Sequence, residues 1–308
     1  MSNQTIKNNL HKGIQSTLGG VLHLADSLPN SMPFDVRGIE RVPVDIPCVF
    51  VINHSNSHDY PTLMKFLYEL SRVRKRKCVT TLVASDSLDK KNEFIFNITG
   101  AELIDRFDKK SVNKGQLNLE KRLEEGNDIA IFGESTWNLH PYVPMQIVKK
   151  GFAKLASGEW AAVVPIIFEY VEDKNMCYVE SELYKKLIVS VCEPLMIRDN
   201  DDVLARANDV RKIMSEARLE LWKETKTHTP VLEGRKYKEL EENIYLHNTE
   251  LKKSGMGFNY DSIYELDMLL PLGNGMGIEN EYIRNEAGLF VPLTKENAPA
   301  KVLKPIKK

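Results

Sequence analysis

Val49-Phe50-Val51-Ile52-Asn53-His54-Ser55-Asn56-Ser57-His58-Asp59-Tyr60-Pro61 is the stretch that decides the fold. It starts as a short apolar run with the composition of a buried strand. It breaks at Asn53 into seven polar residues. Pro61 then opens a helical pattern with Leu63, Phe66, Leu67 and Leu70 on one face. A histidine and an aspartate, five positions apart, thus fall in the loop at the C-terminal end of a strand. Open α/β sheets bind their ligands at such places.

Neutral imidazole can take a proton from a hydroxyl near neutral pH. A carboxylate on its other ring nitrogen fixes the tautomer and stabilises the imidazolium. If the loop folds into the first turn of the following helix, His54 and Asp59 face each other. Ser55 and Ser57 lie nearby, but neither is obviously paired as a nucleophile. A dyad without a nucleophile points to direct attack by an activated hydroxyl on an acyl donor. The competing use of these residues is a metal-dependent hydrolase with His54, His58 and Asp59 as ligands. Neither a cysteine nor a third histidine lies near to complete that set, and a helix starting at Pro61 starts too late to align the two histidines.

Outward from this stretch, strands and helices alternate. Residues 4–24 carry an apolar stripe (Ile6, Leu10, Ile14, Leu18, Leu22) broken by Gly19-Gly20, an amphipathic helix either packed on the domain or lying on lipid. Four prolines keep residues 29–47 from forming a long helix, and residues 36–40 make a short strand. Residues 79–84, 129–132, 161–168 and 187–191 are strand-like, and residues 112–126, 145–156 and 201–223 are helical. A short apolar segment, 94–100, leads through Gly100-Ala101 to Asp105-Arg106. Pro165 marks a point where a ladder hydrogen bond must be missing. The fold class expected is α/β: a mixed, mainly parallel sheet flanked by helices, with an N-terminal amphipathic helix and an irregular C-terminal appendage. The expected division is 1–35 helix and lead-in, 36–224 α/β domain, 225–308 a polar, partly ordered extension. Within the extension, Gly273-Asn274-Gly275-Met276-Gly277 lacks the strand, helix and lysine of a phosphate loop.

Bulk properties narrow the function. A chain of 308 residues with 42% hydrophobic and 28% charged residues has material for a large core. Its net charge of −1 gives no global drive toward nucleic acid or anionic lipid, so nucleic acid is not an expected partner. Five cations in Arg72-Val73-Arg74-Lys75-Arg76-Lys77 form a local basic run, suited to solvent, a phospholipid surface, coenzyme A phosphates or an acidic carrier protein. The four cysteines are scattered without metal spacing and read as buried thiols of a reducing compartment. No signal peptide is evident, and no apolar run approaches the roughly 20 residues that cross a bilayer. A cytoplasmic protein, peripheral on the inner face of a membrane, is expected.

Four strand-end blocks stand in order: Asn53-His54-x4-Asp59; Gly100-Ala101-x-x-Ile104-Asp105-Arg106; Phe132-Gly133-Glu134-Ser135-Thr136; Val164-Pro165-Ile166. Together they resemble the glycerolipid acyltransferase family, which includes 1-acylglycerol-3-phosphate acyltransferases, over roughly residues 36–223. The resemblance implies acyl transfer from an acyl-coenzyme A or acyl-carrier-protein thioester to a lipid hydroxyl, with no acyl-enzyme and no cofactor. It implies His54 as general base, Asp59 as its orienting partner, Arg106 and Glu134 in the acceptor site, and Pro165 shaping the acyl pocket. Gly100, Ser135, Thr136 and Trp137 join them as substrate-binding candidates. The oxyanion stabiliser is expected among the backbone N–H groups after His54. The third block departs from the pattern: many relatives read Glu-Gly-Thr-Arg where this chain has Glu134-Ser135-Thr136-Trp137. An indole replaces a guanidinium that holds phosphate. That opens the acceptor to another lyso-lipid, a glycolipid, or a sugar or amine headgroup, with Lys149 or Lys150 as substitute phosphate contacts. A non-catalytic lipid-binding protein on the same fold is the reading from another class.

Overall fold

The computed structural model describes residues 3–25, 33–55, 58–74, 80–85, 90–105, 108–135, 144–145, 148–172, 184–226, 282–284 and 290–292. Its centre is the strand predicted from the quoted stretch. Strand β2 (Cys48–Ile52) is wholly buried, as an uninterrupted apolar run requires. It pairs in parallel with β5 (Asp128–Phe132) on one side and β6 (Ala162–Glu172) on the other. Beyond β5 lie β3 (Thr80–Ser85) and β4 (Glu102–Ile104), also parallel. Beyond β6 lie β7 (Tyr184–Val191), antiparallel to it, and then β1 (Phe34–Arg37), parallel to β7. The two-residue β8 (Leu195–Met196) adds to β6, completing, among the described residues, a mixed, mainly parallel sheet of eight strands. Two further short strands, β9 (Tyr282–Arg284) and β10 (Phe290–Pro292), pair with each other in the C-terminal extension. The rest of that extension, with the 273–277 glycines, lies outside the described residues.

Alternation along the strands feeds two cores. Phe50, Ile52, Val164, Ile166 and Phe168 face a cluster with α2 (Asp59–Val73), and Leu18 and Leu22 of α1 (Asn3–Ala25) pack on it. Val49, Val51, Val163 and Ile167 face α4 (Lys109–Glu124), α5 (Gly151–Leu155) and α6 (Val203–Thr225). The glycine pair that weakens α1 as an isolated helix has a packing reason. A Cβ at Gly19 would run into the Met64 carbonyl oxygen of α2.

Several local expectations are revised. Helix α2 begins at Asp59 rather than Pro61, because proline sits without cost in a first turn whose N–H groups have no helical partner. The apolar segment 94–100 is mostly the end of a helix, α3 (Lys90–Ile98), and the strand after it is only three residues long. The helix expected over 145–156 shrinks to the five residues of α5. In the basic run, Arg74 is no surface cation. It is buried and paired with Asp128 at 2.8 Å, and that carboxylate also accepts the Cys48 N–H at 2.8 Å. Residues 75–79 lie outside the described set.

Pro165 is buried in β6 at a changeover. The Phe168 N–H points toward the β2 side, where it meets Asn53. Alternation therefore turns the nitrogen of residue 165 to the other edge. There β8 pairs only with residues 162–163, and β7 takes over at Ile166. The missing donor falls where no ladder bond is asked for.

Candidate active site

His54 follows β2 directly, and Glu134 lies two residues after the neighbouring β5. Helix α2 starts at Asp59, four residues past Ser55, with the acidic side chain in its positive first turn. The chain therefore folds back on itself. His54 Nδ1 lies 2.7 Å from Asp59 Oδ2, and the Ser55 N–H donates to the same oxygen at 2.6 Å. Asp59 is 1% exposed and His54 22%, so the carboxylate is sealed inside while the ring stays within reach of solvent. With Nδ1 given to the carboxylate, Nε2 becomes the basic nitrogen. The imidazole stacks on the Phe132 ring, centroids 4.4 Å apart and planes 16° apart, so its orientation is set from below as well.

Glu134 is 2% exposed, and its Oε2 accepts the His54 backbone N–H at 2.7 Å. It thereby fixes the main chain at His54. Ser135 after it has a left-handed backbone, φ 60°, a conformation that costs a serine and suits a glycine. Asn53, in the quoted block but given no role from sequence, ties the loop to β6. Its Oδ1 accepts the Phe168 N–H at 2.7 Å, and its Nδ2 donates to the Phe168 carbonyl at 3.0 Å and to Ser55 Oγ at 2.9 Å. Tyr170 on β6 donates to Asp59 Oδ1 at 2.9 Å, and Thr62 meets the Tyr170 hydroxyl at 2.9 Å. Phe132 stood in the third block without a role of its own, and neither Tyr170 nor Thr62 was singled out from sequence. Their neighbours in space come from other elements, and no local pattern marks them. Tyr60 stays a neutral phenol: burial pushes it up to about 12, and its hydroxyl donates to Thr99.

The other expected site residues separate into three groups. Gly100 lies at the start of β4, the opposite end of the sheet from His54. It is buried with φ 82°, and a Cβ there would collide with the His11 ring of α1. Close packing against that ring gives the glycine a structural reason. Arg106, Thr136 and Trp137 lie outside the described residues. Lys149 is exposed and tied to the third block by its backbone N–H, which donates to the Gly133 carbonyl at 2.8 Å. The expected oxyanion donor is revised at its first position, since the Ser55 N–H is engaged by Asp59. His58 is the exposed residue before the first turn of α2, its carbonyl accepting the Thr62 N–H at 3.0 Å. Among the described residues no three His, Cys, Asp or Glu side chains converge as a metal site.

The central strand of the mixed sheet thus ends in a histidine paired with a buried carboxylate. Residues 33–169 match the acyltransferase family model. No curated protein matches the chain. The crystal structure of the 1-acyl-sn-glycerophosphate (LPA) acyltransferase PlsC from Thermotoga maritima is similar in fold, with TM-score 0.50 and 16% identity, over 68% of this chain and 81% of that one. The stretch that matches the family model contains all four blocks that resemble the glycerolipid acyltransferases.

Proposed function

We propose that this protein moves a fatty acyl group from an acyl-coenzyme A or acyl-carrier-protein thioester to a hydroxyl of a lyso-glycerophospholipid or related lipid. The observation that carries the proposal is the 2.7 Å contact of His54 Nδ1 with the buried Asp59 carboxylate at the C-terminal end of β2. His54 Nε2 takes the acceptor hydroxyl proton as the oxygen attacks the thioester carbonyl carbon. Asp59 holds the imidazolium that forms. Collapse of the tetrahedral intermediate breaks the C–S bond, and the thiolate leaves with the proton carried by His54. The products are an ester and a free thiol, and no residue is acylated. Glu134, by holding the His54 main chain, serves the base; Arg106, Thr136 and Trp137 remain the acceptor-site candidates and Pro165 the candidate for the acyl pocket.

The protein meets its lipid acceptor at the cytoplasmic surface of a membrane. Among the described residues no helix is long and apolar enough to cross one. Helix α1 has no acidic residue, carries Lys7 and Lys12, and exposes Leu10, Val21 and Leu24. These features support a peripheral contact through its outer face.

The test is acyl transfer from labelled acyl-coenzyme A or acyl-carrier protein to lysophosphatidic acid and a panel of other lyso-lipids. Wild-type protein is expected to esterify at least one of them. His54→Ala and Asp59→Asn are each expected to lower turnover by roughly 100-fold or more. Unchanged transfer by His54→Ala would sink the general-base mechanism. Acceptor binding without turnover by wild-type protein would favour the non-catalytic lipid binder.

A further inference from the structure

We propose that Tyr170, seated by Thr62, is a positioning residue for the His54–Asp59 pair. The proposal rests on the reaction set out above. Asp59 Oδ2 accepts from His54 Nδ1 and the Ser55 N–H, while Oδ1 accepts the Tyr170 hydroxyl at 2.9 Å. Donors on both oxygens hold a carboxylate against rotation about its Cβ–Cγ bond more firmly than donors on one oxygen do. The oxygen facing His54 therefore keeps its place through the donor on its twin. A phenol has one proton. Tyr170 gives it to Asp59, so the hydroxyl of Thr62, 2.9 Å away, must donate to Tyr170. The bonds run in one direction, from Thr62 to Tyr170 to Asp59, and end on the base.

The three side chains come from two elements. Asp59 and Thr62 are three positions apart in the first turn of α2 and are 1% and 3% exposed. Tyr170 stands on β6, on the face shared with Ile166 and Phe168, and is 7% exposed. In this dry setting a hydrogen bond to a charged oxygen is strong, and its loss is felt in geometry. When the acceptor proton moves to His54, the carboxylate must stay put and stay negative, and a fixed O–H aimed at Oδ1 serves both needs. Tyr170 does not touch the reacting atoms. It acts through Asp59, which acts through His54.

Tyr170→Phe keeps the ring and deletes the donor. It is expected to lower kcat about 10- to 100-fold, the scale of a small misplacement of a catalytic group. KM for the acyl thioester and for the acceptor is expected to stay within about two-fold. Thr62→Val, nearly the same shape without the hydroxyl, is expected to give a smaller loss of kcat, which Thr62→Ser restores. In an Asp59→Asn background, Tyr170→Phe is expected to add no further loss, because the two changes break one unit. An equal loss in both backgrounds, or a rise in KM at constant kcat, overturns the proposal. A second readout needs no turnover: the low-field proton resonance of His54 Nδ1–H is expected to move in Tyr170→Phe and to return in the wild type alone. An unmoved resonance also overturns it. If the wild type transfers no acyl group, the reaction is wrong, and the resonance still decides the role of Tyr170.

Discussion

At the scale of single residues, the loop after β2 is held by side chains that each do two things. Asn53 is the clearest example. Its carboxamide accepts from the Phe168 N–H and donates to the Phe168 carbonyl, so it continues the β2–β6 ladder one step past the end of β2. Only a group with a donor and an acceptor on one carbon can do this. Asn53→Asp keeps the size and replaces the donor with a second acceptor facing a carbonyl, at a fully buried position. The expected cost is about 2 kcal/mol or more of unfolding free energy, read by urea denaturation. A change below about 0.5 kcal/mol would mean that the clamp does not hold the loop. The histidine and aspartate were legible in the sequence because their spacing alone lets a helical turn bring them together. Asn53, Thr62 and Tyr170 were not: Thr62 and Asn53 look like ordinary polar residues, and the hydroxyl of Tyr170 is 111 positions from its carboxylate. The same limit explains Gly100. It stood in a motif, yet its neighbour is a histidine of α1, 89 positions earlier.

At the scale of an element, α1 shows what a helical stripe leaves open. Its periodicity gave the helix, but not the face that packs or the polar contacts that seat it. The packed face carries two buried polar residues. Gln15 Nε2 donates to the Thr80 carbonyl at 2.6 Å and to the Thr99 carbonyl at 2.8 Å, joining the start of β3 to the end of α3. His11, 8% exposed, lies against Gly100. Burial, then the cations Arg122 of α4 and Lys7 of α1, holds His11 below its ordinary value of 6.5. Its Nδ1 has no hydrogen-bond partner among the described residues. The folded protein therefore binds this proton more weakly than the unfolded chain does. The neutral form's contribution to stability is complete above pH 6.5 and is lost as the pH falls through 6.5 toward the depressed folded value. The unfolding midpoint is expected to drop between pH 7.5 and 5.5, and His11→Gln is expected to flatten that slope. Hydrogen exchange should show α1 amides opening first in the acid range. An identical slope in wild type and variant would mean that His11 is not what ties α1 to acidity.

At the scale of the molecule, β6 joins the site to the far layer through two successive residues. Tyr170 faces α2 and the His54–Asp59 pair, whereas Glu169 faces α6. Glu169, 2% exposed, accepts from Arg218 at 2.7 Å and from Trp222 Nε1 at 3.0 Å. Arg218 also donates to the Pro144 carbonyl at 2.9 Å and lies 5.3 Å from the Trp222 ring centroid, and Arg211 reaches the Met145 carbonyl at 3.0 Å. The matched family region ends at residue 169, so α6 lies wholly beyond it. The sequence announced α6 by its apolar spacing, but two buried arginines run against composition rules and were invisible as contacts. Buried charge is costly to leave uncompensated, even where the intact pair adds little net stability. Arg218→Met strands the Glu169 charge one residue from Tyr170. It is expected to cost about 3–5 kcal/mol, measured by urea unfolding followed through tryptophan fluorescence. Adding Glu169→Gln to Arg218→Met is expected to recover part of the loss, since the charge left behind is gone. If α6 were only an attachment to the matched region, Arg218→Met would change stability by less than about 1 kcal/mol and leave a separate early transition. A single cooperative transition at lower urea concentration instead makes α6 part of the unit that holds β6, and through β6 the carboxylate of Asp59, in place.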